Sequence, residues 1–300
     1  MKRKLIKQGK GALTISLPKK WIEFNEISAG QEIEIVEEDN NLIIKTKPGK
    51  YEKEISLVFA HQKPEAYRNI IASLYRGGYD KIKIKFSDRK DLSSLQRVTD
   101  SLHGFEIFNI DENSCIIKRL YSEEFPDIDL YIKKMIYTIS EMNSIICKDL
   151  KKKEFNSERE ISKLRNDILK QRDLIMRIIK DRKLFDNKHF PYYNLSISLW
   201  NIARNYYHLY LNLNKKERYL TEDVSLLEKI EEYFEHSFNK LKYVGINELI
   251  ERNEEYAKIR KEVIRRLKEK GKNALIPSMC LNIIFSVQFA DSSIYLLNQD

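Results

Sequence analysis

Seven cations stand in the first twenty residues, namely Lys2, Arg3, Lys4, Lys7, Lys10, Lys19 and Lys20, and no Asp or Glu accompanies them. Ammonium groups at this density suit a polyanion: they displace counterions from a phosphate backbone, and affinity of that origin falls as salt rises. The chain of 300 residues carries 54 Lys and Arg against 45 Asp and Glu, a net charge of +9, so this one segment could hold most of the excess. Arg3 is the one arginine of the seven. Bidentate readout of guanine favours arginine, so the chemistry this composition supports is backbone contact, with base specificity left open. The bland alternative is that terminal lysines simply keep an edge strand soluble.

The remaining reactive side chains do not assemble into a catalytic pattern. His61, His103, His189, His208 and His236 show no H-x-x-x-H spacing, and none stands beside a Cys or Ser in a nucleophile motif. A triad is built in space and leaves no obligatory spacing, but nothing argues for one, and the chain is expected not to be an enzyme. Cys115, Cys147 and Cys280 are widely separated and odd in number, neither a disulfide framework nor a zinc pattern, which fits a reducing, cytoplasmic setting. Carboxylate pairs such as Glu231/Glu235 and Glu251/Glu255 recur at helical spacing and are expected on solvated faces. The aromatic run Phe190, Tyr192, Tyr193, Trp200, Tyr206, Tyr207 and Tyr210 is expected in bundle core and loop packing. A partner-binding face is the alternative.

Three patterns position these residues. In residues 1–47, short strands over Lys4–Lys7 and Ala12–Leu17 flank the turn signal Gly9-Lys10-Gly11, Pro18 pre-sets a short helix, and Glu32–Val36 and Leu42–Lys45 form a second hairpin. Pro48-Gly49 reads as a linker. Residues 51–119 alternate strand and helix as a small α/β module, with Gly77-Gly78 and Gly104 closing its helices. From 125 to 300 the period is helical: Ile128, Ile132, Met135, Ile139, Met142 and Ile146 form one apolar seam, and Leu195, Leu199, Ile202, Tyr206, Leu209 and Leu213 another. Six helices are expected, in two sets of three. The fold class is therefore multidomain α+β. Ala274–Ala290 is the most apolar stretch, but Pro277, Ser278, Asn282, Ser286 and Gln288 interrupt it. It falls short of the roughly 20 clean apolar residues of a membrane span, and no membrane insertion is expected.

The string from Gln8 to Trp21, QGKGALTISLPKKW, followed by Ala29-Gly30-Gln31-Glu32-Ile33-Glu34-Ile35, resembles the AbrB/SpoVT swapped-hairpin family. Residues from about 125 onward resemble the PhoU family, with Asp127-Ile128-Asp129-Leu130 at a helix start and Phe289-Ala290-Asp291 similar to the end of its E-R-I-G/A-D signature. A head, middle and tail in this order resemble archaeal phosphate-uptake regulators. The resemblance implies a homodimer formed through swapped hairpins that binds DNA through Arg3, Lys4, Lys7, Lys10, Lys19 and Lys20. The helical part would then receive a signal about phosphate supply. The alternative is an adaptor that docks on a phosphate transporter or signalling kinase and uses the head for dimerisation alone.

Some PhoU relatives carry a metal on a Glu and an Asp four residues apart. Here Val287 holds the Glu position and Gln288 the Arg position. In the first unit Trp200 and Arg204 replace Glu and Asp. Asp291 alone survives as a weak candidate ligand, and an Arg at a cation site would repel the ion, so no cofactor or metal is expected.

Overall fold

The computed structural model describes residues 2–9, 11–38, 41–45, 52–59, 64–120, 127–182, 188–213, 221–239, 241, 244–270 and 274–299. The chain divides into two compact units, Met1–Glu52 and Lys53–Asp300. The first consists of two separate hairpins, β1 (Ile6–Gln8) with β2 (Ala12–Thr14) and β3 (Glu34–Glu38) with β4 (Asn41–Lys45), and between them a short helix α1 (Lys19–Phe24). Pro48-Gly49, read as a linker, lies outside the described residues.

The second unit takes in both the α/β segment and the helices. Its sheet has the order β5 (Glu54–Phe59), β6 (Lys81–Phe86), β8 (Ser114–Arg119), β7 (Phe105–Phe108). β5 and β6 run parallel because α2 (Pro64–Arg76) crosses between them, while β8 is antiparallel to both neighbours. Alternation decides the buried face: Ile82, Ile84 and Phe86 point into the core while Lys81, Lys83 and Lys85 line the other side. α2 and α3 (Asp91–Asp100) cover that face through Tyr67, Ile71, Tyr75, Leu95 and Val98.

The helical part comprises α4 (Ile128–Lys152), α5 (Glu158–Arg182), α6 (His189–Asn212), α7 (Thr221–Phe238), α8 (Ile246–Lys270) and α9 (Leu275–Leu297). The seam from Ile128 to Ile146 is buried along its whole length. Within each of the triplets α4–α6 and α7–α9, every helix packs on the other two, and α6 against α9 is the broadest interface between them. α9 is the one described helix long and apolar enough to cross a membrane. Here Ile276, Cys280, Ile283, Val287, Ala290 and Ile294 line the bundle core instead.

The α/β layer is fastened to the bundle by charges on α5. Arg177 is almost wholly buried, and its guanidinium donates to the Tyr75 carbonyl at 2.9 Å, the Tyr79 carbonyl at 2.7 Å and Asp181 Oδ2 at 2.7 Å, and pairs with Asp80. Four acceptors thus converge on one planar donor fork, a geometry lysine lacks. Arg119 at the end of β8 reaches Asp181 at 3.0 Å. One turn earlier, fully buried Asp173 receives Arg76 at 2.8 Å and Arg172 at 2.6 Å, with Arg68 at 3.7 Å. Gly78, at φ +81°, ends α2 so close to α5 that a Cβ there would stand 3.3 Å from Lys180 Cγ.

Replacing Arg177 by Met keeps the volume but takes the donor from the Tyr75 and Tyr79 carbonyls and leaves Asp80 and Asp181 with Arg119 as their remaining cation. Arg177→Met is expected to lower unfolding stability by about 3 to 5 kcal/mol, measured by urea denaturation followed by circular dichroism. A loss below about 1 kcal/mol, the level of an exposed pair, would show that this fork does not hold the layers together.

Candidate nucleic-acid interface

The first hairpin is set by its turn. Gly9 and Gly11 adopt φ +68° and +142°, regions that side-chain-bearing residues avoid, and so let the chain reverse between β1 and β2. The register places Ile6 across from Thr14, Lys7 across from Leu13 and Gln8 across from Ala12, and the Thr14 hydroxyl donates to the Ile6 carbonyl at 3.2 Å. Pro18 then caps α1: its carbonyl accepts from the amides of Trp21 and Ile22 at 2.9 and 3.0 Å.

Arg3 and Lys4 precede β1, Lys7 sits in its middle, and Lys19 and Lys20 open α1; all five are exposed. Lys10 lies outside the described residues. Lys19 meets Glu23 one turn along α1 at 3.6 Å, with both side chains largely in solvent. Such a pair is screened and holds its lysine weakly. Among the described residues no carboxylate pairs with Arg3, Lys4, Lys7 or Lys20.

Two features of this unit go beyond the basic count. Residues 21–40 contain Glu23, Glu26, Glu32, Glu34, Glu37, Glu38 and Asp39 and no Lys or Arg, whereas Lys45, Lys47 and Lys50 follow in 41–52 with Glu52 alone, so basic stretches flank an acidic one along the unit. Moreover, none of its described side chains is buried. Leu5, Ile6, Leu13, Ile15, Phe24, Ile35 and Leu42 are each more than half exposed. Two hairpins that do not pair with each other have no core, and apolar surface of this extent calls for a cover.

Elsewhere, Asp291 lies at the heart of α7–α9. Its Oδ1 accepts from Arg252, itself wholly buried, at 3.2 Å, and its Oδ2 from the Tyr233 hydroxyl at 3.4 Å; Arg252 also donates to Glu248 at 2.9 Å. A guanidinium therefore occupies the carboxylate face where a cation would sit. Among the described residues no cluster of three His, Cys, Asp or Glu could hold a metal. Glu231, expected on a solvated face, instead turns its carboxylate inward against α4, and burial raises its pKa against the opposing effect of Ser140. Helical spacing alone does not reveal that the neighbouring triplet covers this position. All three cysteines are buried, and burial lifts the thiols of Cys115 and Cys147 to about 11 and about 12, which keeps them protonated and unreactive. Of the aromatic run, Tyr206 and Tyr210 are buried while Phe190 and Tyr193 stay about half exposed.

Burial pushes the Asp291 carboxyl from its ordinary 3.8 up to about 6, against the pull of Arg252. Between those values the folded chain binds a proton that the unfolded chain releases, so this group adds stability on acidification and withdraws it as pH rises through about 6. The stability difference between the native chain and Asp291→Asn is expected to move in favour of the native chain by roughly 2 kcal/mol from pH 6.5 to 4. Parallel stability profiles for the two proteins would refute this assignment.

Residues 6–53 match the family model described as antidote-toxin recognition MazE, bacterial antitoxin. The N-terminal unit is thus a MazE/AbrB-like domain, and domains of this kind typically bind DNA and dimerise. No curated protein and no solved structure matches the chain.

Proposed function

We propose that the chain is a non-enzymatic, cytoplasmic DNA-binding regulator that acts as a homodimer. In this reading the domain at 1–47 binds DNA, the α/β segment at 51–119 links it to the helices, and the region at 125–300 is a PhoU-like bundle that senses phosphate supply or binds a partner. One observation carries the DNA-binding part: the MazE/AbrB-like match falls on a unit whose first twenty residues hold seven cations and whose apolar side chains are uncovered. A second copy covers that surface at the lowest cost in new chemistry, since the interleaved hairpins bury each other's edges and double the cationic face. Asp291 is not assigned a metal, because Arg252 neutralises it.

A second reading, an adaptor docking on a transporter or signalling kinase, draws on α8 and α9. Ile246, Ile250, Phe285, Phe289 and Leu296 are exposed there, apolar groups that a protein partner could cover.

Charge reversal separates the two. Lys19→Glu with Lys20→Glu is expected to weaken duplex binding at least tenfold in gel shifts at low salt, and the slope of log affinity against log salt should shrink by about 0.9 for each phosphate that the variant no longer neutralises. Sedimentation should still give a dimer, twice the 35.8 kDa chain mass. Absence of salt-sensitive binding by the native chain, with a partner still captured by the variant, would leave the adaptor.

A further inference from the structure

Five guanidinium groups gather where α2, α5 and α6 meet: Arg68 and Arg76 from α2, Arg165 and Arg172 from α5, and Arg204 from α6. Among the described residues the one carboxylate paired with them is Asp173. Guanidinium does not deprotonate in proteins, so the excess positive charge cannot be relieved by losing protons. Its mark is on neighbouring groups. Burial, and after it the crowding of Arg68, Arg172 and Arg204, depresses the pKa of Arg165, and burial followed by Arg204 and Arg165 lowers that of His208.

Aromatic rings hold these cations in place. The Arg165 guanidinium lies 4.8 Å from the Trp200 ring and 5.3 Å from Tyr207, and Arg172 lies 5.0 Å from Trp200. A ring face attracts the charge but accepts few hydrogen bonds. The Arg165 fork also donates to Asn166 Oδ1 at 2.8 Å and the Arg68 fork to the Ser101 hydroxyl at 2.6 Å, which leaves the remaining donors of each fork for a further acceptor. Arg165 Nε is buried with no acceptor. Arg68, Arg76 and Arg172 have side chains 30%, 26% and 13% exposed and share Asp173, while Arg204 is exposed.

We propose that this cluster is a binding site for a small multivalent oxyanion, phosphate or the phosphoryl group of a small metabolite, held by Arg165, Arg204 and Arg68 with His208 at its edge. Planar forks match tetrahedral oxyanions bidentately, and a dianion offsets the unpaired charge better than a single carboxylate does. The site gives the regulatory reading above an effector; it rests on that reading for its consequence, though not for binding itself.

The test uses the full chain, titrated calorimetrically with sodium phosphate and, separately, with glycerol 3-phosphate at constant ionic strength set by chloride. Saturable binding of either is expected, the tighter of the two identifying free phosphate or a phosphoryl ester as the source. Arg204→Gln, at an exposed position, and Arg165→Gln should each weaken it at least tenfold, while Asp173→Asn, which removes the competing carboxylate, should tighten it. No saturable binding of either probe, or equal affinity in a folded Arg165→Gln, Arg204→Gln double variant, overturns the site. Should Asp173→Asn fail to fold, the Arg204→Gln comparison still decides. Phosphate binding without DNA binding would retain the site and remove the DNA-binding reading, whereas DNA binding without phosphate binding would do the reverse.

Discussion

A buried guanidinium on α5 is the constraint around which the larger unit is organised. The α/β layer has its own apolar core on one face of its sheet, and the bundle has another, so hydrophobic burial alone leaves the two bodies free to separate. Arg177 removes that freedom by satisfying three kinds of acceptor at once: the Tyr75 and Tyr79 carbonyls at and just beyond the end of α2, the Asp80 carboxylate at the entry to β6, and Asp181 on its own helix. Desolvating such a charge costs several kcal/mol, and only the full set of acceptors offsets it. The Tyr75 and Phe105 rings at 5.6 and 6.0 Å from the guanidinium close the site to water.

The periodic parts of this arrangement can be read from the chain alone. Ile128 to Ile146 step by four and three because one face of α4 must be apolar, and β6 alternates lysine with Ile82, Ile84 and Phe86 because one face of the sheet is covered. The charge pairs cannot be read in this way. Arg177 and its acceptors on the α/β layer are 97 to 102 positions apart, and Arg252 and Asp291 are 39 apart, so no spacing rule connects them. Asp291 is legible as a carboxylate on a helix face, and only packing reveals that an arginine from α8 already neutralises it. The inward turn of Glu231 has the same origin, since the surface it meets belongs to α4 of the other triplet.

The N-terminal unit poses the opposite problem. Its turns are plain in the sequence, because Gly9, Gly11 and Gly30 supply positive φ values where the chain reverses. Its charge is arranged in blocks: seven cations in residues 1–20, seven carboxylates in 21–40, and Lys45, Lys47 and Lys50 against Glu52 in 41–52. The unit can present cations to a phosphate backbone only where its carboxylates face elsewhere, and the apolar residues exposed on β1, β2 and β3 mark surface left to be covered.

Asp173 connects the proposed oxyanion site to the same junction. Arg68 and Arg76 belong to α2 and Arg172 to α5, so the carboxylate they share acts on the seam between the layers. An oxyanion reaching these groups from the side of Arg165 and Arg204 would draw on the same donors, and an N–H given to one acceptor is withdrawn from another. Thermodynamic linkage then fixes the relation: whatever factor the anion imposes on the equilibrium of that seam, the seam imposes on anion affinity. Arg177 lies four residues further along α5, about 6 Å by helical rise, and anchors α2 through acceptors that the oxyanion does not contact. Redistribution of charge around Asp173 can therefore shift the packing of Arg68 and Arg76 while the layers stay joined, which is the condition for a local charge to be felt across the unit without unfolding it.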